Sequence, residues 1–316
     1  MKYVFLVVLV VAIPVIIFWY TKDTTNHITI GFSSDSSSTT GVVSENRFPE
    51  LKQNNEVKIT ARSDLSTQNP EEGDTVVLTI FDPALIPENS SFMGKPISFF
   101  PYEGNIISFI PIPIGKIGNQ ELTVTFKNGE KMTRTLYVQA KKFPIYNVGI
   151  PERLGMTASE LIKQLADEKK ELDMILSINT KETYFSKPFI LPVGNAPVSG
   201  TFGEIRKTGS NEIRHLGVDF APPEGTFVKA SNDGIIKKAG FDSIYGNMVI
   251  IDHGNEVFSM YLHMKSVSVR VGDAVKQGET IGVVGNTGYS TGEHLHFSIK
   301  INSISVDPLR FISVLK

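Results

Sequence analysis

Two short stretches decide how this chain is read: His215-Leu216-Gly217-Val218-Asp219-Phe220 and His294-Leu295-His296-Phe297. Side chains on an extended strand alternate between its two faces. In the first stretch His215 and Asp219 fall on one face, and Leu216, Val218 and Phe220 on the other. In the second, both histidines fall opposite Leu295 and Phe297. A third stretch, Val257 to His263, sets Ser259, Tyr261 and His263 against Phe258, Met260 and Leu262. Each strand therefore has an apolar side for a core and a side bearing imidazole or carboxylate. Neighbouring strands lie about 4.8 Å apart. If these three are adjacent, four imidazoles and one carboxylate converge on one patch.

Zinc suits such a patch. Neutral imidazole and carboxylate bind it at about 2.0–2.2 Å, and three protein ligands leave one position open for chemistry. His215, Asp219 and one histidine of the His294/His296 pair make such a set. A lone H-x-H or H-x-x-x-D is weak evidence, but the conjunction with a third histidine on an alternating strand favours a metal. His253, in Asp252-His253-Gly254-Asn255, reads as a turn residue rather than a ligand. The glycines at 272, 278, 282, 285, 288 and 292 suit tight turns, with no phosphate-loop lysine pattern beside them. Ser290 and Thr291 lie near His294 without a nucleophile elbow, so a turn or a hydrogen bond to that histidine is expected.

Composition excludes several function classes. The 316 residues carry 31 Lys+Arg against 33 Asp+Glu, a net charge of -2, which disfavours a nucleic-acid binder with a basic face. There is no cysteine, which removes disulfides, thiol nucleophiles and thiolate zinc sites. Apolar residues make up 41%, as in a globular chain.

The stretch 203–310 resembles the lysostaphin/LytM-type zinc metallopeptidases, peptidoglycan endopeptidases with a duplicated-hybrid-motif β fold. The matching text is Phe202-Gly203, HLGVDFAPPEGTFVKASNDG (215–234), YGNMVIIDHG (245–254), YLHM (261–264), VGDAVKQGETIGVVGNTGYSTGEHLHFSI (271–299) and Asp307-Pro308. The resemblance implies one Zn2+ held by His215, Asp219 and His296, with His263 and His294 as the unliganded catalytic histidines. His294 is expected as general base and His263 as stabiliser or acid. Glu293 stands where the family commonly has proline. No tyrosine between 203 and 214 fills the oxyanion role that some relatives give to one, which points to Arg206 or Arg214.

The expected activity is hydrolysis of peptide cross-links in bacterial peptidoglycan. The alternative is a non-catalytic wall-binding or hydrolase-activating module of the same fold, which the complete five-residue set disfavours. A lipoyl-type carrier, suggested by VGDAVKQGETIG (271–282), gives no reason for clustered histidines.

The expected architecture is mainly β. Residues 1–22 read as a transmembrane signal-anchor, with an apolar run from Tyr3 to Tyr20 long enough to cross a bilayer, favoured over a cleaved signal peptide. Either reading exports the remainder, to the periplasm or beyond the cytoplasmic membrane. Residues 23–56 form a Ser/Thr-rich tether. Residues 57–142 alternate as short strands, including 57–60, with Asn128-Gly129 as a two-residue hairpin signal. They suggest a β-sandwich that restrains activity or meets a regulatory protein. Residues 143–199 are a connector with a helix over 157–176, where Thr157 and Glu160 form a capping-box pattern. Residues 200–312 are the antiparallel metallopeptidase domain.

Overall fold

The computed structural model describes residues 63–316 other than 179, 224 and 316. In a separate unit, Met1–Lys58, it gives only the backbone strands Leu6–Val8, Ile17–Lys22, Ile28–Ser34 and Ser37–Thr39. The expected membrane segment and tether, and the strand at 57–60, fall otherwise outside the described residues. No helix among the described residues is long and apolar enough to cross a membrane.

Residues 63–138 pair as two four-stranded antiparallel sheets. One runs in the order Ser63–Leu65, Thr75–Ile80, Asn105–Pro111, Phe100–Tyr102. The other runs Lys131–Val138, Gly118–Phe126, Pro87–Phe92, Lys95–Pro96. Val76, Leu78 and Ile80 from the first sheet and Leu122, Val124 and Phe126 from the second share one buried cluster, as alternation in both requires. The Asn-Gly turn is a three-residue loop rather than the two-residue hairpin expected. Phe126 and Glu130 face each other across Lys127-Asn128-Gly129, and Gly129 takes the left-handed conformation at φ 86.

A second face of the sandwich is aromatic and merges with the C-terminal core. Phe109 lies 5.3 Å from Phe311 and 6.2 Å from Phe185, ring centre to ring centre. Arg310 clamps the junction through Asp74 (2.5 Å) and Glu71 (2.6 Å).

Helix α1, Ala158–Leu176, opens with both halves of its capping box: the Glu160 N–H donates to Thr157 Oγ1, and the Thr157 N–H donates to Glu160 Oε2 at 2.7 Å. Leu172 and Leu176 pack on Met248, Ile250, Phe258, Met260 and Leu262. Each such leucine contributes roughly 1.5–3 kcal/mol by leaving water, so α1 is held against one face of the C-terminal sheet.

That sheet has eight strands. Four carry the site: β1 (Val218–Phe220), β2 (Gly246–Asp252), β3 (Val257–Met264) and β4 (Leu295–Ile301). They lie side by side and antiparallel in the order β1-β4-β3-β2. Val218, Phe220, Leu295, Phe297 and Tyr261 enter the main core from one face. The other face, beneath α1, carries the polar cluster.

Candidate metal centre

Asp219 on β1 and His296 on β4 are register partners, so their side chains leave the sheet on the same face. His215 sits just before β1, its backbone N–H donating to Glu204 O at 2.9 Å. Three atoms meet: His215 Nε2, Asp219 Oδ1 and His296 Nδ1 are separated by 3.0, 2.9 and 2.9 Å. Among the described residues this is the one cluster of three or more such groups with metal-binding proximity.

The surrounding hydrogen bonds fix what those atoms offer. His215 donates from Nδ1 to Thr201 O (2.8 Å), leaving Nε2 as a lone pair. His296 donates from Nε2 to Ser298 Oγ (2.7 Å), which donates onward to Leu216 O (2.9 Å), leaving Nδ1 as a lone pair. Arg206 Nη2 donates to Asp219 Oδ2, leaving Oδ1 facing the two rings. Two lone pairs and an anionic oxygen are thus held within 3.0 Å of one another. That donor set fits a divalent cation. Burial opposes the charged form of His296 and pushes it down to about 4, so the ring is neutral. Burial also opposes ionisation of Asp219, but the close polar contacts with the His215 and His296 rings outweigh it. The carboxyl lies well below its usual range.

His263 reaches the site by a route that alternation does not predict. The site face of β3 is the face of Leu262, which pairs with His296, and of Met260, which pairs with Ser298. Strict alternation would put His263 with Tyr261 in the core. Instead the pairing with β2 slips: Tyr261 faces Val249 and Met264 faces Asn247, so one residue is extra on β3. His263 absorbs it with φ at 63. Its ring then lies 4.9 Å from that of His294 and 6.2 Å from that of His296. The expectation that His263 shares a face with Ser259 and Tyr261 is therefore corrected; the bulge turns it over.

The two histidines outside the triangle, His263 and His294, present a bare Nε2. His263 donates from Nδ1 to Thr287 O (2.9 Å), and His294 donates from Nδ1 to Gly292 O (2.8 Å) with Ser290 Oγ at 3.1 Å. His294 Nε2 lies 3.7 Å from Asp219 Oδ1, beside the ligand triangle. Burial, and then the charges of His294 and His296, drive His263 down to about 3.

The expected oxyanion arginines are committed elsewhere. Arg206 bridges Asp219 and Glu204, the latter at 2.7 Å. Arg214 donates to Gly203 O (2.9 Å) and lies over the Phe143 ring. Thr201, Glu204 and Ser298, which position the ligands, were not signalled by any spacing in the sequence. His253 stands away from the ligands and is fully buried, bonded to Asp233 O and Ser259 Oγ at 2.7 Å each.

The cluster lies between two cavities. The larger, about 550 Å³, runs along the sheet face under α1, past His296, Ser298 and Lys300. The smaller, about 400 Å³, runs past Asp219, His294 and Glu293. Arg206 and Tyr289 border both. A chain laid through both would cross the ligand triangle.

A mainly antiparallel β domain, with a His-Asp-His donor set and two further imidazoles in an open cleft, defines a metallopeptidase-type centre. Residues 213–308 match the model of Peptidase family M23, and through this domain the chain belongs to that family. It is 42% identical over 94 residues to the peptidoglycan DD-endopeptidase ShyC of Vibrio cholerae, covering 30% of this chain and 22% of that protein. The match thus spans less than a quarter of that relative's length. The catalytic domain of lysostaphin from Staphylococcus simulans is 37% identical, covering 37% of this chain and 92% of that one, with a TM-score of 0.35. A structure described as an M23 peptidase candidate from Pseudomonas aeruginosa superposes with a TM-score of 0.60 at 28% identity, over 77% of this chain and 95% of that one.

Proposed function

We propose that this protein is a zinc-dependent endopeptidase that hydrolyses peptide cross-links of bacterial peptidoglycan. The observation that carries the reading is the triangle of His215 Nε2, Asp219 Oδ1 and His296 Nδ1, each turned toward the others as an acceptor by the hydrogen bonds on its far side. These residues would hold the zinc, which supplies Lewis acidity that acidifies water and polarises a carbonyl. The remaining steps belong to the chain's own side chains. His294 Nε2, bare and beside Asp219, accepts the proton of the attacking water. His263 Nε2 is bare in the resting state, and its burial keeps it neutral. It takes over the water's proton from His294, whose ring centre lies 4.9 Å away, and passes it to the leaving amine, which leaves both rings neutral again. The tethers to Thr287 O and Gly292 O keep both rings aimed at the cleft throughout.

The wall-peptide substrate is supported by the M23 match and by a cleft that admits an extended chain from both sides. The apolar run at 3–20 supports export with a membrane anchor, and the sandwich docked behind the sheet is the surface for a regulatory protein. The test is mass spectrometry of muropeptides released from peptidoglycan by the purified protein, with zinc and with chelator. New amine and carboxylate ends should appear with zinc alone. Binding to the wall without zinc-dependent release would favour the non-catalytic module.

A further inference from the structure

Lys300 follows His296 by four residues on β4, so both side chains leave the same face of the sheet, about 13 Å apart along the strand. Lys300 lines the larger cavity beside Ser298 and Ser305. Its Nζ donates to Oγ of Ser305, its register partner, at 2.7 Å. Among the described residues no carboxylate lies within ion-pair distance of it. Asp173 on α1, which also borders the cavity, is paired to Lys169 instead. The neighbouring floor is apolar, with Met260 and Leu262 on the adjacent strand. Burial pushes the ammonium down to about 8, so it remains charged at neutral pH. Asp173 favours that charge from a distance and Lys169 opposes it, so the ammonium sits in a desolvated groove with no directly bonded carboxylate, which is costly.

We propose that Lys300 is a specificity-determining residue that anchors a carboxylate of the substrate, within about four residues of the scissile bond in an extended peptide. This rests on the wall-peptide reading above. The site would therefore distinguish a peptide with a free carboxylate at that position from the same peptide with the carboxylate amidated. A hydrogen-bonded carboxylate–ammonium contact in a desolvated groove corresponds to roughly a tenfold or larger preference.

The test is calorimetric binding of two probes to the zinc-loaded full chain: an acidic stem tetrapeptide and the same peptide with its carboxylates amidated. The wild type should bind the acidic probe at least tenfold more tightly. Lys300→Met should bind both alike, near the affinity of the amidated probe, with unchanged zinc content. Retention of the wild-type preference in Lys300→Met, or no preference in the wild type (binding of neither probe included), overturns the proposal. Turnover of cross-linked peptides is read separately. Lys300-dependent binding without zinc-dependent cleavage would sink the hydrolase reading and leave the carboxylate site standing.

Discussion

Arg206 and Asp219 divide the two oxygens of one carboxylate. The guanidinium donates to Oδ2, and Oδ1 faces His215 and His296 at 3.0 and 2.9 Å. Arg206 is itself braced by Glu204. A planar donor fixed in this way sets the angle at which Oδ1 meets a cation.

Arg206→Ala should therefore weaken zinc binding by about 10–100-fold while the fold persists. Arg206→Lys should recover only part, because an ammonium lacks the fork that spans Asp219 and Glu204. Competition with a chromophoric chelator measures both. Unchanged affinity in Arg206→Ala would show that Asp219 needs no external clamp.

Gly217 lies between two candidate ligands in His215-Leu216-Gly217-Val218-Asp219, and its place is set by packing rather than by an unusual φ. A Cβ there would stand 2.5 Å from both His296 Nε2 and Ser298 Oγ, and 2.6 Å from the Phe297 carbonyl. The carbonyl is backbone and cannot swing away. Gly217→Ala should lower zinc affinity at least tenfold and cost about 1–3 kcal/mol of stability. Chelator competition and urea unfolding would show this; a variant equal to wild type in both would mean that β1 and β4 separate more easily than their pairing suggests.

The sequence makes the ligand strands legible because period-two alternation survives there intact. Val218 and Phe220 enter the core, and Asp219 turns out beside His296. The capping box of Thr157 and Glu160 is legible for the same reason: it is a local hydrogen-bond pattern. His263 is not, because the extra residue between Tyr261 and Met264 shows only in the pairing with Asn247 and Val249, which no single strand encodes. Arg206 is not, because its tie to Asp219 spans thirteen positions through tertiary structure alone. The docking of the sandwich through Phe109, Phe185 and Phe311 is hidden likewise, since an aromatic residue in a strand does not say which of two cores it enters.

His253 provides a stability switch apart from the metal site. Burial drives its pKa from the ordinary 6.5 to about 4, against smaller opposing contributions from the Asp233 carbonyl and from Asp252 and Asp233 charges. As pH falls through 6.5 the unfolded chain takes up a proton that the folded chain refuses until about pH 4. The stability present above pH 6.5 is thus lost between 6.5 and 4, to the extent of about 3 kcal/mol. Urea unfolding of chelator-treated protein at pH 7 and pH 4.5 should show this loss in wild type and a smaller one in His253→Gln. Parallel losses in the two proteins would assign the acid sensitivity to other groups.

His263 joins two demands at one residue, since the backbone takes φ 63 and the ring must reach the cleft. An L-residue in the left-handed region is disfavoured by about 1–2 kcal/mol, a cost that glycine largely escapes. His263→Gly should therefore be about 1 kcal/mol more stable than His263→Ala, even though glycine ordinarily weakens a strand. Both variants should keep their zinc, because neither removes a ligand, and both should lose turnover by at least about 100-fold. His215→Ala, in contrast, should lose the metal. Atomic spectroscopy, urea unfolding and muropeptide release separate the three effects. Equal stability of the glycine and alanine variants would remove the strain at the bulge, and a metal-free His263→Ala protein would place His263 among the ligands.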